Sequence, residues 1–328
     1  MNNLITIIIP TFNNQTTIHK HLQSILSQTY QNIEILIVDS FSTDSTIKIA
    51  KQYTIEDKRI QIIQNTYENE IKAYIHGVKK ARGKYVFISS PLTVLSLNYI
   101  EYSILQIKNH DIFSCNYKTI SEEKLQKDYL IKITQPDEKN IIYTNTEYMN
   151  TLHTTNCMNF DSIFSLHNKL ILKSIINTNY ENSNIFFFFE DILLNAKSIL
   201  ESNQTLILKF EIDKHFNDIC FNNSDFNKLT FLEHLLLKSK KENSNLIVPI
   251  QLLLSEILRI RIKLFFPYLE IEEKNNFIHI LDSKFSSIYK FCNHKKISSS
   301  GIQKLFDEYE KLLKKEKAIQ ASPYLYPY

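Results

Sequence analysis

Glycine is scarce in this chain of 328 residues, which contains 3 glycines, 4 cysteines and no tryptophan. No two cysteines form a Cys-x-x-Cys pair, so the sequence indicates neither a zinc site nor a disulfide framework. We expect free thiols, as in a reducing cytoplasm. Because glycine is rare throughout, a glycine missing from a motif is weak evidence against that motif.

Long apolar runs and a strong net charge are also absent. No stretch of about 18 apolar residues occurs, so no transmembrane helix is predicted. The N-terminus lacks a basic segment followed by an apolar one, so no signal peptide is predicted. The chain has 38 basic and 35 acidic side chains, and this small excess does not indicate a nucleic acid partner.

The first fifty residues alternate apolar runs with helical periods. Residues 4–10 and 33–38 are rich in isoleucine, and the stretch between them has apolar residues at helical spacing from about Thr17. This alternation predicts βαβ units whose strands are buried on both faces. Ligands of open α/β sheets bind beyond the carboxyl ends of the strands. The first candidate site therefore lies at residues 10–13 and at Asp39.

Three motifs in this region resemble the signature of the family-2 glycosyltransferases. They are Pro-Thr-Phe-Asn at residues 10–13, Ser-Ile-Leu-Ser-Gln-Thr-Tyr at residues 24–30, and Val-Asp-Ser-Phe-Ser-Thr-Asp at residues 38–44. Two positions depart from the family pattern, since Ser40 replaces an aspartate and Phe41 replaces a glycine. A phenylalanine disfavours the left-handed backbone that glycine allows, so we expect this loop to differ in shape.

The resemblance implies roles for individual residues near these strand ends. Thr11 and Asn13 would line a nucleoside pocket, and Asp39 would accept hydrogen bonds from the base. Ser42 and Asp44 would hold the loop or only cap the helix that follows, and for Asp44 the cap is the favoured alternative. The donor-binding residues that the resemblance implies are Pro10, Thr11, Asn13, Asp39, Ser42, Ser90 and Thr93.

The family's metal-binding Asp-x-Asp motif is replaced here by Ser-Pro-Leu at residues 90–92. No carboxylate occurs between residues 85 and 98, whereas Mg²⁺ usually takes one or two carboxylates. We therefore expect no metal site and no cofactor, although Mg²⁺ or Mn²⁺ is usual in the family. Three alternatives remain: a metal-independent enzyme, an enzyme with a carboxylate from elsewhere, or a protein that binds without catalysis. In the first, the cation that neutralises a diphosphate would be Arg82, Lys84 or Lys169.

A second strong match is Glu190-Asp191, which follows four phenylalanines at residues 186–189. The resemblance implies that Asp191 is the general base that deprotonates an acceptor hydroxyl, with Glu190 beside it. The apolar run should raise the pKa of Asp191, while the start of a helix should lower it. The alternative interpretation is that the pair only caps a helix.

Several local elements are predicted between the motifs. A helix should follow Asp191 and bury residues as far as Leu200, and residues 206–210 should form the last strand. Gly83 should be the residue after the end of a helix. Asn168 should cap a helix that begins Asn-Lys-Leu, in preference to a direct functional role.

The resemblance implies an α/β protein with the GT-A fold, a doubly wound and mainly parallel sheet with helices on both faces. We assign residues 1–217 to this domain. Residues 218–328 should form a helical C-terminal extension, because four helical periods occur there. Its basic and aromatic residues indicate either peripheral membrane contact or, as the favoured alternative, an ordinary solvated face. Its apolar stripes could pack on the first domain, cover the acceptor cleft or form a homodimer.

The function implied by the resemblance is transfer of a sugar from a nucleotide-sugar donor, most often a UDP-sugar. The acceptor would be a saccharide or a lipid-linked saccharide, and the reaction would invert the anomeric centre during synthesis of a surface polysaccharide or other glycan. The alternative is a catalytically impaired nucleotide-binding or scaffold protein. We expect a cytoplasmic location, extending to the inner face of the membrane.

Overall fold

The computed structural model describes residues 3–64, 70–120, 140–154, 165–181 and 184–210, together with residues 231, 234 and 235. A first compact unit comprises residues 1–151 and 159–213 and contains nearly all of these residues. The second unit, residues 152–158 and 214–328, lies almost wholly outside them. The predicted C-terminal helices, their membrane or dimer contacts and the boundary after residue 217 therefore lie outside the described residues and stay predictions.

The described residues form strands and helices that alternate in the first half of the chain. Within them, no helix has both the length and the apolar composition that crossing a bilayer requires. A short 3-10 helix, Lys173–Ile175, follows the eighth strand. In chain order the elements are β1 (Ile5–Thr11), α1 (Ile18–Leu26), β2 (Ile33–Asp39), α2 (Thr46–Glu56), β3 (Ile60–Gln64), α3 (Glu70–Lys80), β4 (Tyr85–Ile88), β5 (Thr93–Leu95), α4 (Tyr99–Ile107), β6 (Ile112–Ile120), β7 (Ile141–Tyr143), α5 (Asn145–Thr154), β8 (Lys169–Leu172), α6 (Ile185–Asn195) and β9 (Ile199–Phe210).

These strands form one sheet in the order β3-β2-β1-β4-β8-β6-β9-β5, and β7 pairs with β9 outside this path. The strands β3, β2, β1 and β4 are parallel, as the βαβ pattern predicts. The next strand, β8, is antiparallel to β4 and β6, while β6 and β9 are parallel. The carboxyl ends of β2, β1 and β4 consequently lie side by side at one edge of the sheet.

Strand β1 lies inside the sheet, with helices on both of its faces. Ile5, Ile7 and Ile9 pack in one apolar cluster with residues of α1 and α2. Ile8 faces the opposite side, where a Cβ added to Gly77 of α3 would lie 2.5 Å from Ile8 Cγ2. Glycine thus lets α3 approach the sheet closely. The predicted layering of an α/β protein is confirmed, but the sheet is mixed and not mainly parallel, because β5, β7 and β8 pair with their neighbours in the antiparallel direction.

Two predicted helical segments have a different structure. The sequence Asn-Lys-Leu at residues 168–170 leads into strand β8, because β4 and β6 offer it pairing partners on both sides. The predicted helix cap at Asn168 is therefore wrong. Helix α6 ends at Asn195, and Ile199 and Leu200 belong to β9. Their burial, which suggested a continued helix, arises from the interior of the sheet.

Gly83 follows α3, but its backbone is not in the left-handed region. None of the described glycines has a positive φ. A Cβ at Gly83 would lie 2.5 Å from the backbone nitrogen of Thr6 and 2.7 Å from its Oγ1. The Gly83 N–H donates to that hydroxyl at 2.9 Å. Glycine is required here for the close approach to β1, so the predicted helix-terminating role is wrong.

Candidate functional site

A cavity of about 610 Å³ opens where β1, β2 and β4 end. Its walls come from residues at or just after these strand ends, from α3 and from the loop before β8. Parallel strands bring their last residues to the same edge of the sheet, so positions far apart in sequence meet there. The lining residues are Pro10, Thr11, Phe12, Asn14, Ser40, Phe41, Ala73, Ser90, Pro91, Leu92 and His167.

Three of the predicted donor-binding residues, Pro10, Thr11 and Ser90, line this cavity. The structure thus brings these three residues together at the strand ends, and their binding of a donor stays a prediction. The remaining predicted residues are not part of the lining and make hydrogen bonds in or beside its loops. They are Asn13, Asp39, Ser42 and Thr93.

The carboxylate of Asp39 is buried at the end of β2, where it joins several neighbours. Its Oδ1 accepts hydrogen bonds from Ser42 Oγ at 2.6 Å and from Thr11 Oγ1 at 3.4 Å. Its Oδ2 accepts from the Ser42 N–H at 3.2 Å and from Gln64 Nε2 at 3.4 Å. Only 1% of Asp39 is exposed. The carboxylate thus holds the loop after β2, and its predicted contact with a base stays a prediction.

The loops after β1 and β2 are tied to each other. The Asn13 N–H donates to Ser42 Oγ at 3.0 Å, and Asn13 Oδ1 accepts from the Thr43 N–H at 2.9 Å. Asp44 accepts from the Gln15 N–H at 3.0 Å and from the N–H of Thr46, the first residue of α2, at 2.9 Å. These bonds connect the two strand ends. The N-cap position of α2 is Ser45, and Asp44, one residue earlier, bonds both to the first N–H of α2 and to the loop after β1.

Phe41 adopts the left-handed conformation, with φ of 60°. We expected a phenylalanine to avoid this region, and that expectation is wrong. The backbone on both sides is fixed by hydrogen bonds, because Asp39 binds Ser42 and Asn13 binds Thr43. The loop therefore keeps a shape that favours glycine although its residue is an aromatic one.

The segment at the position of the family's Asp-x-Asp motif is a compact turn after β4. Ser90 Oγ accepts from the Leu92 N–H at 3.3 Å, and Thr93 Oγ1 donates to the Ser90 carbonyl at 2.8 Å. His21 lies with its Nδ1 2.6 Å from the Thr93 carbonyl, and burial lowers the pKa of His21 to about 4. A neutral imidazole therefore donates to this turn, since a carbonyl can only accept.

The described residues around the cavity do not fit a divalent ion. None of the lining residues that the structure describes is a carboxylate. The described ranges contain no group of three or more His, Cys, Asp and Glu side chains that could hold a metal ion. The hydroxyls of this segment can bind a phosphate oxygen but cannot supply the anionic ligands that Mg²⁺ usually takes.

Two of the cations predicted to neutralise a diphosphate lie at the opposite edge of the sheet. The Arg82 N–H donates to Glu34 Oε2 at 2.9 Å, and its guanidinium pairs with the same carboxylate at the start of β2. The Lys84 N–H donates to the Leu4 carbonyl, just before β1. Because β4 is parallel to β1, residues that precede β4 cannot reach its carboxyl end. The prediction for Arg82 and Lys84 is wrong.

The third predicted cation, Lys169, is fully buried and does not line the cavity. Its Nζ donates to the Ser165 carbonyl and to Asn168 Oδ1, each at 2.8 Å, and lies 5.0 Å from the centre of the Phe189 ring. Burial lowers the pKa of Lys169 to about 7, while the charge of Glu201 opposes this shift. Lys169 is therefore held in the protein interior at the start of β8, beside Phe189 of α6.

His167 lines the cavity and was not predicted from the sequence. Its Nδ1 lies 3.3 Å from the Ile88 carbonyl at the end of β4, and its ring meets Tyr74 edge to face at 6.3 Å. A carbonyl can only accept, so Nδ1 carries a proton in this contact. A lone histidine belongs to no motif, and its only sequence signal is its place next to Asn-Lys-Leu.

Glu190 and Asp191 lie in the middle of α6, which begins at Ile185. The helix cap is Asn184, which accepts a hydrogen bond from the Phe186 N–H at 3.0 Å. The interpretation of the acidic pair as a helix cap is therefore wrong, and so is the prediction that the pair opens the helix. The phenylalanines belong to the same helix as the pair.

The environment of Asp191 raises the pKa of its carboxyl group. Burial raises the pKa of Asp191, a hydrogen bond with Asn177 opposes the shift, and the charge of Glu190 adds to it. Because Asp191 lies in the middle of α6, the lowering of its pKa that was expected from the start of a helix does not apply. In the described part of the chain, Asp191 Oδ2 is buried without a hydrogen-bond partner. Such an unsatisfied oxygen has room for a further hydrogen bond.

A second cavity, of about 760 Å³, lies between α3 and the segment at residues 178–181. Its described lining includes Lys72, His76, Lys79 and Tyr180. Burial raises the pKa of Tyr180 to about 12, and the charges of Asp191 and Glu190 add to the shift. The acidic pair is therefore electrostatically coupled to the wall of this second cavity. Neither carboxylate lines the first cavity in the described structure.

Comparison with known proteins identifies relatives of the chain. The model of glycosyl transferase family 2 matches residues 6–177. The chain is 29% identical to glycosyltransferase GlyA of Streptococcus pneumoniae over 206 residues, which cover 62% of the chain and 29% of GlyA. It is 32% identical to glycosyltransferase GlyG of the same species over 125 residues, 37% of the chain and 42% of GlyG. The matches thus span less than half the length of these relatives.

A shorter match has a name that states a reaction. The chain is 43% identical over 84 residues to the Escherichia coli protein UDP-Glc:alpha-D-GlcNAc-diphosphoundecaprenol beta-1,3-glucosyltransferase WfaP. These residues cover 25% of the chain and 33% of WfaP.

Solved structures share the fold at low sequence identity. S. aureus TarS 1–349 in complex with UDP aligns with a TM-score of 0.59 at 16% identity, covering 99% of the chain and 94% of that structure. The complex of TarS 1–349 with UDP-GlcNAc aligns with a TM-score of 0.56 at 17% identity, covering 87% of the chain and 81% of that structure. The likeness confirms the GT-A type of α/β fold and, at these identities, nothing further.

Proposed function

Because the chain belongs to glycosyl transferase family 2, as the match over residues 6–177 shows, we propose that it transfers a sugar from a UDP-sugar to a saccharide or lipid-linked saccharide acceptor. The product would be a surface polysaccharide or another glycan. The observation that carries this proposal is the cavity at the ends of β1, β2 and β4, whose walls contain residues of two family motifs. This is the edge of the sheet at which α/β proteins bind nucleotides.

The choice of a uridine donor rests on the relatives. TarS is described in complexes with UDP and with UDP-GlcNAc, and the name of WfaP states a UDP-Glc donor and a diphosphoundecaprenol-linked acceptor. These properties belong to those proteins. They support, for this chain, a uridine diphosphate donor in the first cavity and an acceptor of the lipid-linked class.

The reaction that we propose is a single displacement with Asp191 as general base. Asp191 takes the proton of an acceptor hydroxyl, and the hydroxyl oxygen attacks the anomeric carbon on the face opposite the diphosphate. The bond from the anomeric carbon to the diphosphate oxygen breaks, its electron pair leaves with UDP, and the configuration inverts. The raised pKa of Asp191 suits a base. Its coupling to Tyr180 supports the second cavity as the acceptor side.

The donor would bind without a divalent ion, because the described lining offers hydroxyl and imidazole groups and no carboxylate. Among the described lining residues, His167 is the one whose side chain can carry a positive charge. We propose that it donates a hydrogen bond to the diphosphate from Nε2, the ring nitrogen opposite the one beside the Ile88 carbonyl. Charge-assisted hydrogen bonds of this kind are stronger than neutral ones.

The second candidate is a nucleotide-binding or scaffold protein that has lost turnover. The observation that favours it is the separation of Asp191 from the lining of the donor cavity in the described structure. Both candidates predict nucleotide binding, but only the enzyme predicts products. Release of UDP from a UDP-sugar in the presence of acceptor glycans distinguishes them.

A thermal-shift panel of nucleotide sugars, with and without Mn²⁺, tests the proposal. A ligand at 100 times its dissociation constant stabilises a protein by about 2.7 kcal/mol, so binding is easily detected. We expect uridine nucleotides to raise the melting temperature equally in EDTA and in Mn²⁺. A rise that requires Mn²⁺ would contradict the metal-free site, and no rise with any nucleotide would contradict the proposed function.

A further inference from the structure

Phe41 occupies a backbone conformation that is rare for its residue type. Its φ is 60°, and the loop around it is fixed by the hydrogen bonds of Asp39 and Asn13. For a bulky residue this region is an outlier that persists only where the surrounding structure imposes it. Glycine would adopt the same conformation without strain. The presence of phenylalanine therefore needs a reason other than local stability.

Packing of the Phe41 ring does not explain why the strained backbone is kept. The side chain is 57% exposed, and in the described part of the chain it has no aromatic partner. A ring so placed contributes little to the core. It nevertheless lines the cavity at the strand ends, together with Thr11 and with Phe12, which is 59% exposed.

The loop holds this ring beside the cavity. Thr11 and Asp39 are partners across the pair β1–β2, so the residues that follow them are neighbours at the same edge. A residue in the left-handed region directs its side chain differently from one in an extended strand. The strained backbone thus has a definite consequence, which is an aromatic surface on the wall of the cavity.

We infer that Phe41 is a stacking surface for the nucleobase of the donor, a contact that rests on the proposed function of the cavity. Aromatic side chains bind bases through their flat faces, and such contacts are lost when the ring is removed. The strain at Phe41 is then retained because it places a ring where the base lies. Phe41 would be a binding residue that determines donor affinity without taking part in the chemical step.

Three substitutions separate the ring from the backbone. Phe41→Gly removes the ring and relieves the strain, so we expect a higher melting temperature but a weaker affinity for UDP, by about fivefold or more. Phe41→Ala removes the ring and keeps the strain, so affinity should fall without the gain in melting temperature. Phe41→Tyr keeps the ring face and should bind UDP as the wild type does.

The probes are UDP, uridine and pyrophosphate, measured by calorimetry on the full chain. The affinities for UDP and uridine should fall by the same factor in Phe41→Gly, because the lost contact is with the base. Any measurable binding of pyrophosphate should not change. Lys108→Gly is the matched control, since Lys108 also has a positive φ, of 41°, after α4 and does not line the cavity. It should raise the melting temperature and leave UDP affinity unchanged.

The outcomes distinguish this contact from the proposed function. If the wild type binds UDP and Phe41→Gly binds it equally well, the stacking contact is wrong while the function stands. A loss of UDP affinity with unchanged uridine affinity would also overturn the contact, since it would place Phe41 at the phosphates. If the wild type binds neither UDP nor uridine, the function and the contact are both wrong.

Discussion

The loop that contains Asp39 and the helix that contains Asp191 place the same chemical group in opposite settings. Asp39 accepts four hydrogen bonds from side chains and backbone of its surroundings. Asp191 has a raised pKa, a hydrogen bond with Asn177 and a buried Oδ2 without a partner in the described structure. Both oxygens of Asp39 already accept hydrogen bonds, whereas Oδ2 of Asp191 can still accept one.

This difference indicates different roles for the two regions. A saturated carboxylate fixes geometry, because each of its oxygens is committed to a neighbour. A carboxylate with a raised pKa and an unsatisfied oxygen can take up a proton, as a general base must. The region around β1 and β2 would thus build the donor site, and the region around α6 would act on the acceptor.

The largest expected effect is that of Asp191→Asn on turnover. Removal of a general base lowers rates by about 10²–10⁴-fold, and we expect a loss of this size in UDP release from UDP-sugars with acceptor. The melting temperature should stay equal or rise, because the substitution removes a poorly satisfied carboxylate. Unchanged turnover, or a loss explained by unfolding, would remove the distinction between the two regions.

The next effect is that of Asp39→Asn on stability. The amide nitrogen that replaces one oxygen is a donor and would face the donors of Ser42, Thr11 or Gln64. Unpaired buried groups of this kind lower the free energy of unfolding by about 1–3 kcal/mol, which urea denaturation measures. Asp57→Asn is the control, since Asp57 pairs with Arg59 away from the cavity. Equal UDP affinity for Asp39→Asn and Asp57→Asn would show that Asp39 does not build the donor site.

Lys169 extends the comparison to a buried charge beside α6. Its pKa of about 7 lies below that of an unfolded lysine, about 10.5, so the unfolded state binds more protons between these values. Stability from this group therefore rises with pH across that window. The wild type should gain about 2 kcal/mol in free energy of unfolding over Lys169→Met between pH 7 and 9. A difference that is constant with pH would show that Lys169 stays fully charged.

The smallest expected effect concerns His167. His167→Gln should weaken UDP about fivefold and leave uridine unchanged, because the proposed contact is with the diphosphate. His76→Gln, in the wall of the second cavity, is the matched control. Equal losses for UDP and uridine would show that His167 only shapes the cavity.

The part of the fold that the sequence predicts is the part with sharp boundaries. Strands β1 and β2 are apolar runs that stop at polar residues, and residues at these strand ends line the cavity. The start of α6 was placed too late because the acidic pair at residues 190–191 was taken as the beginning of the helix, whereas Asn184 caps it. Strand β8 was missed because it is short and its partners, β4 and β6, are distant in sequence.

The candidate site was predicted where motifs mark it and missed where single residues matter. Thr11 and Ser90 belong to motif positions, and both line the cavity. The left-handed backbone of Phe41 follows from hydrogen bonds between two loops, which no local propensity contains. Arg82 and Lys84 were misplaced because proximity in sequence to β4 does not tell which of its ends they approach.

UDP affinity measured in EDTA for the wild type, Asp39→Asn and Asp191→Asn tests the central claim most directly. The two regions have separate roles if Asp191→Asn binds UDP as the wild type does, while Asp39→Asn, still folded at the assay temperature, binds it at least about tenfold more weakly. Equal losses in both variants, or binding that appears only after Mn²⁺ is added, would contradict the claim.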